Sequence, residues 1–144
     1  MTYQEAIQYL SQAYRLNQQI KSKTNRIKQL DELATNITST ISCDKVQSSC
    51  SNSAKHTEAT DKIIDLARTL ERDKLDLIQC ICSIEQDIDS VTAQNARYGL
   101  TLSLRYLEYL KFEAVAERLE CDLRHAYRLH GKAVNLFCKN KKCH

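Results

Sequence analysis

Apolar side chains in the first forty residues recur every seven positions, at Ala6, Ala13, Ile20, Ile27, Ala34 and Ile41. A second column, Tyr9, Leu16, Leu30 and Ile37, lies three residues further on and is interrupted by Lys23. Positions three and four apart share one helix face, and a strict seven-residue repeat is the seam of a coiled coil. Tyr3, Ile7, Leu10 and Tyr14 widen the stripe at its N-terminal end, which is therefore expected to touch more than one neighbour. The helix should begin after Thr2, whose hydroxyl can accept from a first-turn amide while Glu5 reaches back, as in a capping box.

Residues 39–56 lose the repeat. They are rich in Ser, with Asn and Asp, whose side chains compete for backbone hydrogen bonds, and a loop or mobile link is expected there. After His56 the period returns at Ile63, Leu70, Leu77, Ile84 and Val91, with Ala67, Ile81 and Ile88 as companions and Lys74 between them. Two such helices can fold back within the chain as an antiparallel hairpin, or pair with those of a second chain. Both stripes stay apolar for five or six heptads, so a homodimer is expected to cover their second side. Lys23 and Lys74, at seam positions, would set register or partner number. Residues 1–92 thus read as a long-helix dimerisation region.

From about Ala93 the apolar residues become denser than a seam requires, from Leu100, Leu102 and Leu104 through Tyr106, Leu107, Tyr109 and Leu110. Phe112, Ala114, Val115, Ala116 and Leu119 form a short second stripe; Asp122 opens a third with Ala126, Leu129, Ala133, Val134 and Phe137. The breaks fall near residues 110–111 and 120–122. A medium helix, a short one, a tight turn and a final helix is the layout of a helix-turn-helix, here over residues 93–138 with a basic tail at 139–144. The expected fold is all-α: a long antiparallel helical hairpin or coiled coil followed by a C-terminal helix-turn-helix.

Composition narrows the function. The 144 residues contain no Pro, no Trp and two Gly, which argues against a β-sandwich and excludes Gly-rich phosphate loops. No apolar run suits a membrane span and the first ten residues do not form a signal segment, so a cytoplasmic protein without membrane contact is expected. Seven Cys, an odd number, read as reduced thiols. Cys43, Cys50 and His56 share one loop, and Cys138, Cys143 and His144 share the tail. Either group could hold a metal, but the Cys-x2-Cys spacing of a structural zinc site is missing, and no cofactor is expected. Nor is catalysis: Cys121 and His125 are close in sequence, but nothing supplies an oxyanion hole or an orienting acid.

Net charge is only +3, yet residues 122–144 carry six Lys/Arg against one acid. Such asymmetry suits a nucleic-acid surface. Leu123, Ala126, Leu129 and Ala133 can face inward on the last helix while Arg124, His125, Arg128 and Lys132 project outward. Arg124 and Arg128 are stacked one turn apart, and Arg presents a planar donor fork to guanine O6 and N7 or to phosphate. Asp122 is placed to cap the helix with its carboxylate. Tyr127 reaches a phosphate or flanks the core, and His130 lies nearer the buried edge. Lys139, Lys141 and Lys142 would add phosphate contacts without sequence choice. Double-stranded DNA is the expected partner.

Residues 104–137, LRYLEYLKFEAVAERLECDLRHAYRLHGKAVNLF, resemble the helix-turn-helix of sigma-factor region 4. More narrowly, they resemble phage-encoded regulators of low-GC Gram-positive bacteria: the RinA, ArpU and LtrC-like late-gene activators and their prophage relatives. The likeness lies in Arg105-Tyr106-Leu107, in Glu113-Ala114-Val115-Ala116-Glu117-Arg118-Leu119 and in Tyr127-Arg128-Leu129-His130-Gly131-Lys132-Ala133. It implies a DNA-binding transcriptional regulator of a phage programme, with residues 122–137 in the major groove and contact with RNA polymerase. The turn departs from that pattern, with Glu120, Cys121 and Asp122 where the family carries a small residue, an aromatic and a Ser cap. Gly131, inside the last helix, would reflect close approach of a neighbouring helix. A different class also fits: a coiled-coil adaptor docking on RNA polymerase or another regulator without touching DNA.

Overall fold

The computed structural model describes the backbone of residues 1–41 and 49–142, with side chains at 1–36 and 54–141. Among these all regular structure is helical: α1 (Tyr3–Leu10), α2 (Gln12–Ile41), α3 (Ser49–Gln94), α4 (Ala96–Tyr106), α5 (Phe112–Arg118) and α6 (Leu123–Lys142). The all-α expectation holds. The chain divides into two compact units, one of Met1–Asn17 with Leu77–His144 and one of Gln18–Asp76.

In the first unit α1 begins as its sequence dictates. Thr2 Oγ1 accepts from the Glu5 amide at 3.3 Å and Glu5 Oε2 accepts from the Thr2 amide at 2.8 Å. That amide holds the Glu5 carboxyl below its usual range. The predicted continuous helix is instead interrupted at Ser11, whose backbone closes α1 before α2 resumes. The Arg15 guanidinium donates to the Gln8 carbonyl at 2.7 Å beside the break. α3 ends before Asn95, whose side chain caps α4 by accepting from the Arg97 and Tyr98 amides. Gly99 makes this corner possible: a Cβ there would lie 1.9 Å from Thr92 Oγ1 and 2.8 Å from its Cα.

α6 packs on α1, α4 and α5. One core joins Ala6, Leu10 and Ala13 to Ile84, Ile88 and Val91, and these to Leu102, Tyr106, Val134 and Phe137. The expected boundary at 92/93 is therefore not a division. Val91 and Leu102 share a core, because the wide N-terminal stripe and the end of α3 supply the walls that α6 needs. A smaller core, Leu104, Val115, Leu119 and Leu129, holds α4, α5 and the start of α6 together.

In the second unit Lys23 forms an ion pair with Asp73. Lys23 stands 18 residues before the end of α2, and Asp73 stands 24 residues after the start of α3. Parallel helices meeting there would leave Ile41 and Ser49 about 60 Å apart at 1.5 Å per residue. Eight peptide steps reach at most about 29 Å. The two helices are thus an antiparallel hairpin within one chain.

The less exposed positions of α2 here include Ile20, Lys23, Ile27, Leu30 and Ala34 of the predicted seam, with Thr24 beside them. On α3 they are His56, Ala59, Ile63, Leu66, Leu70 and Asp73, so the companion column is Leu66 and Asp73 rather than Ala67 and Lys74. Lys74 lies outside the seam, paired with Glu71 at 3.0 Å on the surface. Positions three and four beyond an apolar column both border it, and Lys23 decides between them by requiring a carboxylate.

The expected loop over 39–56 is also shorter: residues 39–41 belong to α2 and 49–56 to α3. Ser and Asn each cost only about half a kcal/mol relative to Ala in a helix. A helix already nucleated beside them propagates through such residues.

Candidate nucleic-acid interface

The site is built from α5, the turn after it, and α6. α5 ends in a Schellman motif: the Glu120 amide donates to Glu117 O at 3.1 Å and the Cys121 amide to Ala116 O at 3.0 Å. The motif requires a left-handed residue, and Glu120 adopts φ 51° where glycine is usual. Arg97 closes the turn from α4, donating to the Leu119 carbonyl at 3.1 Å, at the electronegative end of α5. Arg105 fixes the preceding connection, donating to Leu110 O at 2.8 Å with its guanidinium 4.9 Å from the Phe112 ring centroid. Tyr109 there is also left-handed, at φ 59°.

α6 starts immediately after Asp122, whose carbonyl accepts from the His125 and Ala126 amides, both at 2.9 Å. The carboxylate cap expected of Asp122 is not formed; its side chain is exposed, and the backbone carbonyl begins the helix alone. Ala126, Leu129, Ala133, Val134 and Phe137 are buried as the pattern requires. Leu123 is not: it is 40% exposed, because it lies in the first turn, ahead of the packed helices. Gly131 also differs from expectation. Nothing lies within 4 Å of the Cβ it lacks, so no neighbouring helix accounts for it.

Arg124, Arg128 and Lys132 are exposed, His125 half-buried. At 100° per residue Arg124, Arg128, Lys132, Asn135 and Lys139 fall on one strip, about 22 Å long from first to last. None of its four cations takes part in an ion pair among the described residues. Tyr127 is half exposed and stacks on Phe112 with ring centroids 4.3 Å apart.

The basic tail is not a separate segment. Residues 139–142 continue α6, and Lys141 is engaged within the molecule. Its ammonium sits 2.7 Å from Asp87 Oδ2 and 5.0 Å from the Tyr9 ring centroid. Tyr9 donates to the same carboxylate oxygen at 2.7 Å. Burial, then that hydrogen bond, pushes the Tyr9 phenol above its usual range. Lys139 remains exposed.

Behind the strip, His130 is buried and its Nε2 lies 2.8 Å from Tyr106 Oη. Phe112 meets the imidazole edge-on at 5.1 Å. Burial, aided by the Arg105 charge, drives the His130 pKa down to about 4. Burial pushes Tyr106 up to about 12, partly opposed by Arg105. At neutral pH a neutral phenol and a neutral imidazole therefore share this hydrogen bond, and His130 is a core residue rather than a surface contact.

Sequence reasoning gave Arg97 and Asp87 no place, and named Arg105 without the contacts it makes. No periodicity marks them, since each answers a carbonyl or a charge on another element. Among the described residues no cluster of three His, Cys, Asp or Glu is arranged to hold a metal. Cys43, Cys143 and His144, with the side chain of Cys50, lie outside the described residues. No described helix is long and apolar enough to cross a membrane. Comparison with protein-family models, with curated proteins and with solved structures returns no match.

Proposed function

We propose that this chain is a non-catalytic, sequence-specific regulator that binds double-stranded DNA through α6. The observation that carries the reading is the strip of Arg124, Arg128, Lys132 and Lys139, exposed and free of ion pairs on the second helix of a helix-turn-helix. In that motif the N-terminal turns of the second helix face base edges in the major groove. Arg124 and Arg128 stand there, with His125 at the border, as base readers. Lys132 and Lys139 follow the phosphates, and Tyr127 adds a hydroxyl beside them. Lys141 drops out of the contact set because Asp87 already neutralises it.

The resemblance of residues 104–137 to sigma region 4 and to phage late-gene activators supports a role in transcription of phage or prophage genes. The working place is then the cytoplasm of the bacterial host, at the nucleoid. The long helices self-associate, so that two copies of α6 meet two half-sites.

A second reading keeps one supporting observation. Leu123 and Tyr127 expose apolar surface at the start of α6, as a protein dock on RNA polymerase or another regulator would. An electrophoretic mobility shift with DNA from upstream of phage genes separates the two. Arg124→Ala with Arg128→Ala abolishes the shift if α6 reads DNA. An unchanged shift overturns that assignment, and no shift by the unaltered chain favours the dock.

A further inference from the structure

α3 has a second face within Gln18–Asp76 that no described residue of its own chain covers. Ile63, Leu66, Leu70 and Asp73 turn toward α2, while Ile64, Arg68, Glu71 and Leu75 are all exposed on the other side. Ile64 is 44% and Leu75 62% exposed. These four follow spacings of four, three and four, the alternation of a coiled-coil seam. The order along that face is apolar, positive, negative, apolar.

We propose that this face is the self-association surface, and that its occupant is α3 of a second copy running antiparallel. It rests only on the self-association in the reading above, not on DNA binding. A two-fold axis between residues 69 and 70 puts Ile64 against the partner's Leu75 and Arg68 against the partner's Glu71. The same two contacts repeat across the axis. Two layers of paired opposite charges then lie between two apolar ones.

Other pairings fail on charge. A parallel, in-register pair opposes Arg68 to Arg68 and Glu71 to Glu71. Sliding the antiparallel pair by one heptad sets Glu71 against Leu75 or against Asp61. Of these arrangements only the first sets Arg68 against Glu71, and charge complementarity favours it. Glu71 gives up its contact with Lys74, an exposed pair of small worth.

Sedimentation velocity of the full chain under reducing conditions, at tens of micromolar and without DNA, tests the surface. The unaltered chain sediments as a dimer. Arg68→Glu alone or Glu71→Arg alone weakens the dimer roughly 10- to 100-fold, because symmetry doubles every like-charge contact. The combined R68E/E71R exchange restores it. Circular dichroism of each variant confirms the helix content. A monomeric unaltered chain, a dimer indifferent to the single reversals, or a combined exchange that fails to restore dimerisation each overturns the proposal. None of these outcomes depends on whether Arg124 and Arg128 read DNA.

Discussion

The two units are built from similar helices but reach very different burial. In the unit of Met1–Asn17 and Leu77–His144, Leu10, Ile84, Val91, Leu102, Val134 and Phe137 are almost wholly enclosed. In Gln18–Asp76 only Ala34 and Leu70 count as core among the described residues, and each keeps 8–9% exposure. A pair of helices has one seam, and every seam residue borders solvent. A third and fourth helix close that border. The multi-helix unit can therefore hold arginines in fixed positions, while the hairpin needs covering from outside.

Truncating the two cores should separate the units most strongly. Phe137→Ala should cost about 3–5 kcal/mol, and Leu70→Ala about 2 kcal/mol or less. Chemical denaturation of each variant measures both. Equal losses would mean that the hairpin is as well packed as the rest.

The two glycines sharpen the contrast inside the larger unit. Gly99→Ala forces a methyl into Thr92 and should cost about 1–3 kcal/mol or more. Gly131→Ala meets open space and should stabilise by about 1 kcal/mol. Thermal melts of the pair should thus move in opposite directions.

The larger unit also carries a dependence on pH. The folded state keeps His130 neutral down to about pH 4, whereas the unfolded chain takes up its proton near 6.5. Between these values the unfolded state binds more protons, so stability falls as pH is lowered, by roughly 2–3 kcal/mol across the window. As pH rises past about 6.5 this slope fades. His130→Phe should flatten the dependence in urea titrations between pH 4 and 7, whatever it does to stability itself.

Sequence pattern located most of this architecture. The columns at Ile20, Ile27 and Ala34 and at Ile63 and Leu70 were readable because one apolar residue per seven has no other helical explanation. The turn at residues 119–122 was readable because α5 and α6 have distinct apolar stripes. The companion column of α3 was not, since Asp73 and Lys74 are equally polar and only Lys23, fifty residues away, chooses between them. Lys141 looked free for a similar reason: Asp87 reaches it through tertiary packing that no local pattern encodes. Gly131 remains without a packing cause in this structure.

The salt dependence of binding to a duplex tests the reading of α6 most directly, measured by fluorescence anisotropy on the unaltered chain and on R124A/R128A. For phosphate contact, log K should fall linearly with log salt at a slope of about −0.9 per contacted phosphate. Removing the two arginines should weaken binding at least tenfold, and should leave a residual slope only from Lys132 and Lys139. Binding that is flat in salt, or identical for both proteins, would contradict the assignment of α6 to the major groove.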